Sequence, residues 1–405
     1  MAFQQGLSGL NSASRNLDVI GHNIANANTV GMKASRAEFG EIYASSINAA
    51  GSTNAGIGVQ VSAVAQQFTQ GNISVTGNSL DVAINGNGFF ELTMPDGSLA
   101  YSRAGMFKLN RDGEIVNNLG GQLMGYPTDA AGVRQGFESV PLTLPTGGPI
   151  PARATTAMGA EVNLDARAPI AAAAVPPTPF GTYGTSLIAY DQQGLEIPVS
   201  LVFEKTANNQ WTVYTGVNGA DPAADPAPFA LNFLPDGTLD PATVIPQLQL
   251  ASPNDPAQTF MVDLDFGDTT QFGVDFAVNN LTQDGYRPGE LTSLNISDDG
   301  VIMAKYSNGQ SQAAGQIALV NFRNVQGLQP NGGGNWTQTF ASGEPVRGAP
   351  GEGNMGLLRS GAVEDSNVDL TAELVNMMTA QRAYQANAQT IKTQDQVLST
   401  LLNMR

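Results

Sequence analysis

A chain of 405 residues with 18 Lys+Arg against 35 Asp+Glu carries a formal charge of −17, and only 13% of its residues are charged. That balance argues against an extended basic groove for nucleic acid, and the length predicts about two to four domains. With no Cys, disulfides, thiolate nucleophiles and Cys-ligated zinc or iron–sulfur centres are excluded, and the single His22 removes multi-His metal sites and leaves a Ser–His–Asp triad only that one imidazole.

The amino end, MAFQQGLSGLNSASRN, has neither the basic start nor the apolar centre of a cleaved signal peptide, and no apolar run is long enough to span a membrane. The expectation is a cytoplasmic protein or one exported with its signal uncleaved. Phe3, Leu7, Leu10, Ser14, Leu17, Gly21 and Ile24 recur with spacings of four and three, the seam of a short amphipathic helix weakened by Gly6, Gly9 and Gly21. His22 lies beside that seam and reads as an interface or capping residue.

The texture then turns to β. Asp96-Gly97, Asp112-Gly113, Asp299-Gly300 and Asn308-Gly309 each separate alternating segments such as FFELTM, MFKLN, LNIS and VIMAKY, which predicts four hairpins. Two fall before and two after a proline-rich centre, where 17 of the 23 prolines lie between Pro141 and Pro256. One β domain interrupted by an insertion over about residues 147–285 accounts for this. The insertion also reads as β, with strands near 186–190, 197–204 and 211–217, a turn at Ala207-Asn208-Asn209, and Trp211 and Val213 on one face. APIAAAAVPPTPF at 168–180 reads as a low-complexity linker.

Candidate chemistry is sparse. In VDLDFGD, Val262, Leu264 and Phe266 alternate with Asp263 and Asp265; the cluster raises calcium, but it lacks the ligand order and closing Glu of an EF-hand, so a half-buried strand is the better reading. Gly86-Asn87-Gly88 lacks the third glycine of a dinucleotide fingerprint, and GGG at 332–334 has no Lys-Ser or Lys-Thr after it. No catalytic residue, metal ligand or cofactor is expected.

From Ala362 to Arg405 there is neither Gly nor Pro, the composition of one long helix. It should start near Ser366 or Asp369 and run on the order of 50 Å. Leu370, Leu374, Met377, Gln381, Tyr384, Ala388, Ile391, Asp395, Leu398 and Leu402 form a heptad seam. Two seams at opposite chain ends predict a terminal helix pair. So long a helix against a short, Gly-weakened partner is expected to need neighbouring molecules for full order. Phe3, Leu7, Leu10, Leu17, Ile24, Leu370, Leu374, Met377, Tyr384, Ile391, Leu398 and Leu402 are therefore the candidate subunit-assembly residues.

NIANANTVGMKASRAEF at 23–39 resembles the amino-terminal signature of the bacterial flagellar rod, hook and hook-associated axial proteins, through Asn23, Asn26, Asn28, Thr29 and Gly31. SNVDLTAELVNMMTAQRAYQANAQTIKTQDQVLSTLLNMR at 366–405 is similar to their carboxy-terminal one, and GNGFFEL at 86–92 and YSRAGMFKLNRDGEIVN at 101–117 to the β domain shared by distal rod and hook proteins. Met32 departs from the pattern, which usually has an aromatic there.

The resemblance implies an α+β, mainly β protein with paired coiled-coil-like terminal helices, a discontinuous β domain and an inserted outer β domain. It divides the chain into 1–27 plus 369–405, a connecting segment of 28–70 plus 358–368, a split β domain of 71–146 plus 286–357, and the insertion 147–285. An insertion of that size fits the hook: a tubular homopolymer acting as a flexible universal joint between rod and filament. The implied partners are other copies, the distal rod protein, the hook cap, the hook–filament junction protein and the flagellar type III export apparatus. The implied location is the extracellular flagellum, with no nucleic acid and no membrane insertion. A distal rod or junction protein is the nearer alternative, and a secreted glycan-cleaving enzyme with paired carboxylates the remote one.

Overall fold

Chain breakers set the architecture. Helix α1 (Ala2–Ala25) and the 34-residue α2 (Leu370–Asn403) occupy the proline-free ends, and among the described residues the elements between them are strands and short 3-10 turns. The computed structural model describes residues 2–42, 58–144, 148–171, 183–219 and 227–403; of the expected linker at 168–180, only residues 168–171 fall within them. Two compact units result: one of residues 1–147, 293–304 and 311–405, the other of 148–292 and 305–310.

In the first unit α1 is followed by an antiparallel hairpin, β1 (Ser35–Ile42) and β2 (Gly58–Gln66), with a bulge between Glu38 and Phe39. Two strands alone are marginal in water. This hairpin lies along α1, where Ser8 Oγ accepts from Val59 N at 3.3 Å and Ser12 Oγ donates to Val59 O at 3.4 Å.

A 13-stranded sheet system follows, built on strands 89–93, 99–102 and 122–126, with 335–337 added beside 99–102. The predicted turns are present: Gly97, Gly113, Gly300 and Gly309 all have φ between 81 and 83°. Phe90, Leu92, Phe107, Ile302, Ile317 and Leu319 are the heart of one core, with Phe90 and Phe107 edge to face at 5.2 Å. Phe89, Tyr101, Phe322 and Trp336 form a smaller aromatic cluster. Distant parts of the chain close this unit through antiparallel pairing of 82–85 with 357–360 and of 73–75 with 362–364.

The second unit has its own core. Strands 183–190, 196–207, 210–217 and 229–232 form a four-stranded antiparallel sheet, with Asn209 at φ 58° in the turn between its middle strands. A five-stranded sheet centred on 157–165 packs with it around Trp211, Phe203, Phe266 and Leu250. Val262 and Phe266 point into that core; the Asp263 carboxylate accepts from Gln247 at 2.6 Å and that of Asp265 from Gly267 N at 2.8 Å. Among the described residues no cluster of three or more Asp, Glu, His or Cys is arranged to hold a metal ion.

Asp284 stitches the two ends of this unit together. Its carboxylate accepts from the backbone N–H groups of Thr156 (2.7 Å) and Ala157 (3.0 Å), from Thr156 Oγ1 (2.6 Å) and from Arg153 (3.0 Å). Burial alone would raise its pKa, but the hydrogen bonds from Thr156 and Ala157, and then the Arg153 charge, hold it below the ordinary 3.8. The unfolded chain therefore takes up this proton first as pH falls, so the stability Asp284 supplies is complete above pH 3.8 and is lost as pH falls through the lowered folded value. Asp284→Asn should cost the second unit about 2 kcal/mol at pH 7 and flatten its stability profile below pH 4, read by urea unfolding of the full chain across pH.

Candidate functional site: the helix pair and the joint at its base

The two helices meet through small residues. The side of α1 turned inward carries Gly6, Ser12, Ala13, Ile20 and Asn23, one position removed from the apolar series Leu7, Leu10, Ser14, Leu17, Gly21, Ile24. A Cβ on Gly6 would lie 3.0 Å from Ile391 Cγ1, and one on Gly9 2.8 Å from the Asn387 amide, so bare backbone lets α2 approach. On α2, Ala380 is buried, and Glu373, Met377, Asn387 and Ile391 are half-buried along the same side.

Several larger apolar residues stay outside this contact. Leu7, Leu370, Leu374 and Tyr384 are exposed, Leu374 at 51%, as are Val375 and Met378 beside them. Leu10, Leu17, Ile24, Met377 and Ile391 are half-buried, while the side chains of Phe3, Leu398 and Leu402 lie outside the described ones. The structure thus brings Met377 and Ile391 to the intramolecular face and leaves Leu370 and Leu374 on another.

At the base of the pair the signature residues form a joint. Asn23, 1% exposed, pairs its amide with both backbone groups of Ser35, accepting from N at 2.9 Å and donating to O at 2.8 Å, and also reaches Glu373 on α2 at 3.4 Å. This turns the chain from α1 into β1. Asn26 donates to His22 O at 3.0 Å and contacts His22 Nδ1 at 3.3 Å, while Thr29 Oγ1 donates to Asn26 Oδ1 at 3.4 Å, closing the end of α1; Asn28 is exposed. Gly31 has φ 72°, and a Cβ there would sit 2.5 Å from Ala104 N, so both conformation and space demand glycine. Met32 is buried against the joint.

Beneath these residues lies a buried ionic triad. Glu364 Oε1 accepts from Lys33 Nζ at 2.6 Å and from Gly71 N at 2.8 Å, and Oε2 from Arg103 Nη1 at 3.2 Å. The Lys33 and Glu364 side chains are both fully buried. Lys33 also donates to Thr69 O at 2.8 Å, Gly31 N donates to the backbone O of Glu364 at 2.8 Å, and the Arg103 guanidinium stands 5.2 Å from the centre of the Phe89 ring. Burial pushes the pKa of Lys33 and of Arg103 down, and attraction to Glu364 opposes it in both.

From there Asn367 carries the chain toward α2, accepting from Ala34 N at 2.7 Å and donating to Gln67 O and Thr69 O. Asp369 caps the helix, its Oδ1 accepting from Thr371 N at 2.9 Å and Ala372 N at 3.2 Å. Sequence reasoning singled out neither the triad nor Asn367. No local feature of the sequence marks them: Lys33 stands close to Arg36 and Glu38, and Glu364 is followed by Asp365.

Comparison with known proteins decides what this arrangement belongs to. Over the full length of both chains, the sequence is 41% identical to the flagellar hook protein FlgE of Salmonella typhimurium and to that of Escherichia coli. It is 32% identical to the hook protein of Borreliella burgdorferi, over all of this chain. The chain belongs to the flagellar hook protein family. Family models match in order along it: a flagella basal body rod protein model at 3–33, the FlgE/F/G D1 domain at 83–163, the FlaE D2 domain at 163–286 and the FlgEFG C-terminal model at 359–404. The crystal structure of Helicobacter pylori FlgE2 superposes with a TM-score of 0.56 at 15% identity, covering 72% of this chain and all of that one, a likeness of fold. The joint thus spans the end of the amino-terminal match and the start of the carboxy-terminal one in a hook-family chain.

Removing one member of the triad leaves buried charge uncompensated. Glu364→Gln should lower the thermal stability of the first unit by about 3–5 kcal/mol. The double variant Lys33→Met, Glu364→Gln should lose less than the sum of the two single losses, a coupling that a melting-curve double-mutant cycle reads directly.

Proposed function

We propose that this flagellar hook subunit assembles through the apolar residues its own helix pair leaves exposed. The carrying observation is the division of labour on the terminal helices: Gly6 and Gly9 close the intramolecular contact against Ile391 and Asn387, while Leu7, Leu370, Leu374, Val375 and Met378 remain in water. Burying such side chains returns about 1.5–3 kcal/mol each, so copies that lay these stripes together gain what the single chain forgoes. Polymerisation with itself makes the chain a structural element of the hook, without catalysis.

The finer reading follows from that. The terminal helices, 1–27 with 369–405, line the tube's channel; residues 28–70 with 358–368 connect them to the split β domain, 71–146 with 286–357, in the wall; the insertion 147–285 forms the outer surface. The tube acts as a universal joint passing torque from rod to filament. Its ends meet the distal rod protein and the hook–filament junction protein, and subunits leave the cell through the flagellar type III apparatus without signal cleavage and add beneath a hook cap. The separate core of the second unit, and the polar, Gly- and Pro-rich loops around it, support outer contacts that exchange at little cost as the tube bends.

The test is a paired substitution. Leu374→Asp should abolish tube formation, because a carboxylate enclosed by neighbouring helices loses its hydration with no partner cation, whereas Thr379→Asp should assemble close to wild type. Sedimentation and electron microscopy of both variants decide it; equal assembly would mean that the exposed stripe is not the contact. Straight, stiff tubes from the wild type would favour the distal-rod reading over the hook.

A further inference from the structure

Phe340 is the most exposed large side chain among the described residues, at 105% relative accessibility, yet the turn that carries it is built to stay in place. Ser342, itself 1% exposed, accepts from Thr339 N at 3.0 Å and donates to Thr339 O at 2.8 Å through its hydroxyl. Thr339 Oγ1 donates to Gly327 O at 2.6 Å, and Asn324 Nδ2 donates to Ala341 O at 3.0 Å. Gly327 approaches residues 341–342 too closely for any Cβ. A clamped turn that holds a phenyl ring entirely in water costs stability and gives the single chain nothing, which marks a contact awaiting its partner.

Elsewhere on the same unit, a groove of about 590 Å³ runs beside the end of α1, where Val30, Met106 and Leu119 offer apolar side chains above the buried Met32 and Trp336. None of its lining residues is Asp, Glu, Lys or Arg; His22 is the sole titratable group. The turn 337–343, TQTFASG, is equally free of charge. Two copies that each carry −17 repel wherever their acids face one another, and a neutral knob in a neutral groove is a contact that escapes that repulsion.

We infer that Phe340 of one copy seats in the groove at the foot of α1 of the next, the partner being a second copy of this chain. Knob and groove are different places on one surface, so the contact is heterologous and repeats without closing, as a helical tube requires. The inference rests on the hook-subunit reading and adds to the helix stripes a second contact, borne by the β part of the first unit.

The absence of Cys makes the test clean. Ala341→Cys and Asn118→Cys, on the knob's flank and the groove's rim, leave Phe340 intact; the two single-substitution proteins are mixed, assembled and treated with a short bis-maleimide. The expected result is a cross-linked pair of one copy of each variant, formed in tubes and absent from dilute monomer. Phe340→Ala should raise the concentration needed for assembly about tenfold or more while leaving the monomer's melting curve unchanged, and Phe340→Trp should restore assembly. Leu119→Glu in the groove should mimic Phe340→Ala. Tubes that form normally from Phe340→Ala, or cross-links that join only two copies of the Ala341→Cys variant to each other, overturn the inference and leave the hook-subunit reading standing. A wild-type protein that forms no tubes at any concentration overturns that reading, and the inference with it.

Discussion

The carboxylate of Glu364 is the point on which the first unit turns. It is fully buried, and it draws together Lys33 just after α1, Arg103 from the β sheet and the backbone at Gly71, while its own strand leads toward α2. Desolvating three charges is expensive, and an apolar core would hold the segments together at least as well. What ions offer is direction. Each oxygen accepts from donors at fixed angles, so the helices leave the sheet along one path and not along a range of slightly different packings. A subunit that must repeat its neighbour's geometry many times needs that single path, because an angular error at the base of a helix about 50 Å long becomes a displacement of many ångströms at its tip.

The helix pair solves a related problem. Had α1 and α2 met through Leu370, Leu374 and their counterparts on α1, the lone chain would be satisfied and would gain little by joining others. Instead Gly6 and Gly9 admit α2 closely, with Asn387 and Ile391 against the bare backbone, and Leu7, Leu370 and Leu374 stay outside. Glycine weakens α1 as a helix by roughly 1 kcal/mol per residue, and that cost is offset only where its neighbours pack. In the proposed assembly, order at the chain ends and contact between copies are therefore linked through the same two helices.

Much of this was legible in the sequence. Proline-free ends with a heptad spacing of apolar residues announced the helices, Asp-Gly and Asn-Gly dipeptides the hairpins, and alternating Val262, Leu264 and Phe266 the strand that carries the aspartates. What composition and periodicity could not convey was which face of each helix would be spent inside the chain. A heptad count ranks positions by size and hydrophobicity, whereas the intramolecular contact at Gly6 and Gly9 is chosen for the absence of side chains. The ionic triad was hidden for a different reason: Lys33, Arg103 and Glu364 are brought together only by strand pairing across the split domain, and nothing local records their meeting.

The weak charge of the chain ties these features together. With charged residues so few, those buried in the first unit stand out as deliberate: Glu364 with its two cations, and Glu91, held in the core by Arg347 through bonds of 2.6 and 2.9 Å. Both sites tie distant segments of the first unit together. In the proposed assembly, contacts between copies are left to neutral amides, hydroxyls and apolar side chains, whose strength varies little with salt and falls off over a few ångströms. Charge then fixes the shape of each subunit, and short-range packing joins subunits, so the assembly can shift its contacts without disturbing the parts that define the subunit.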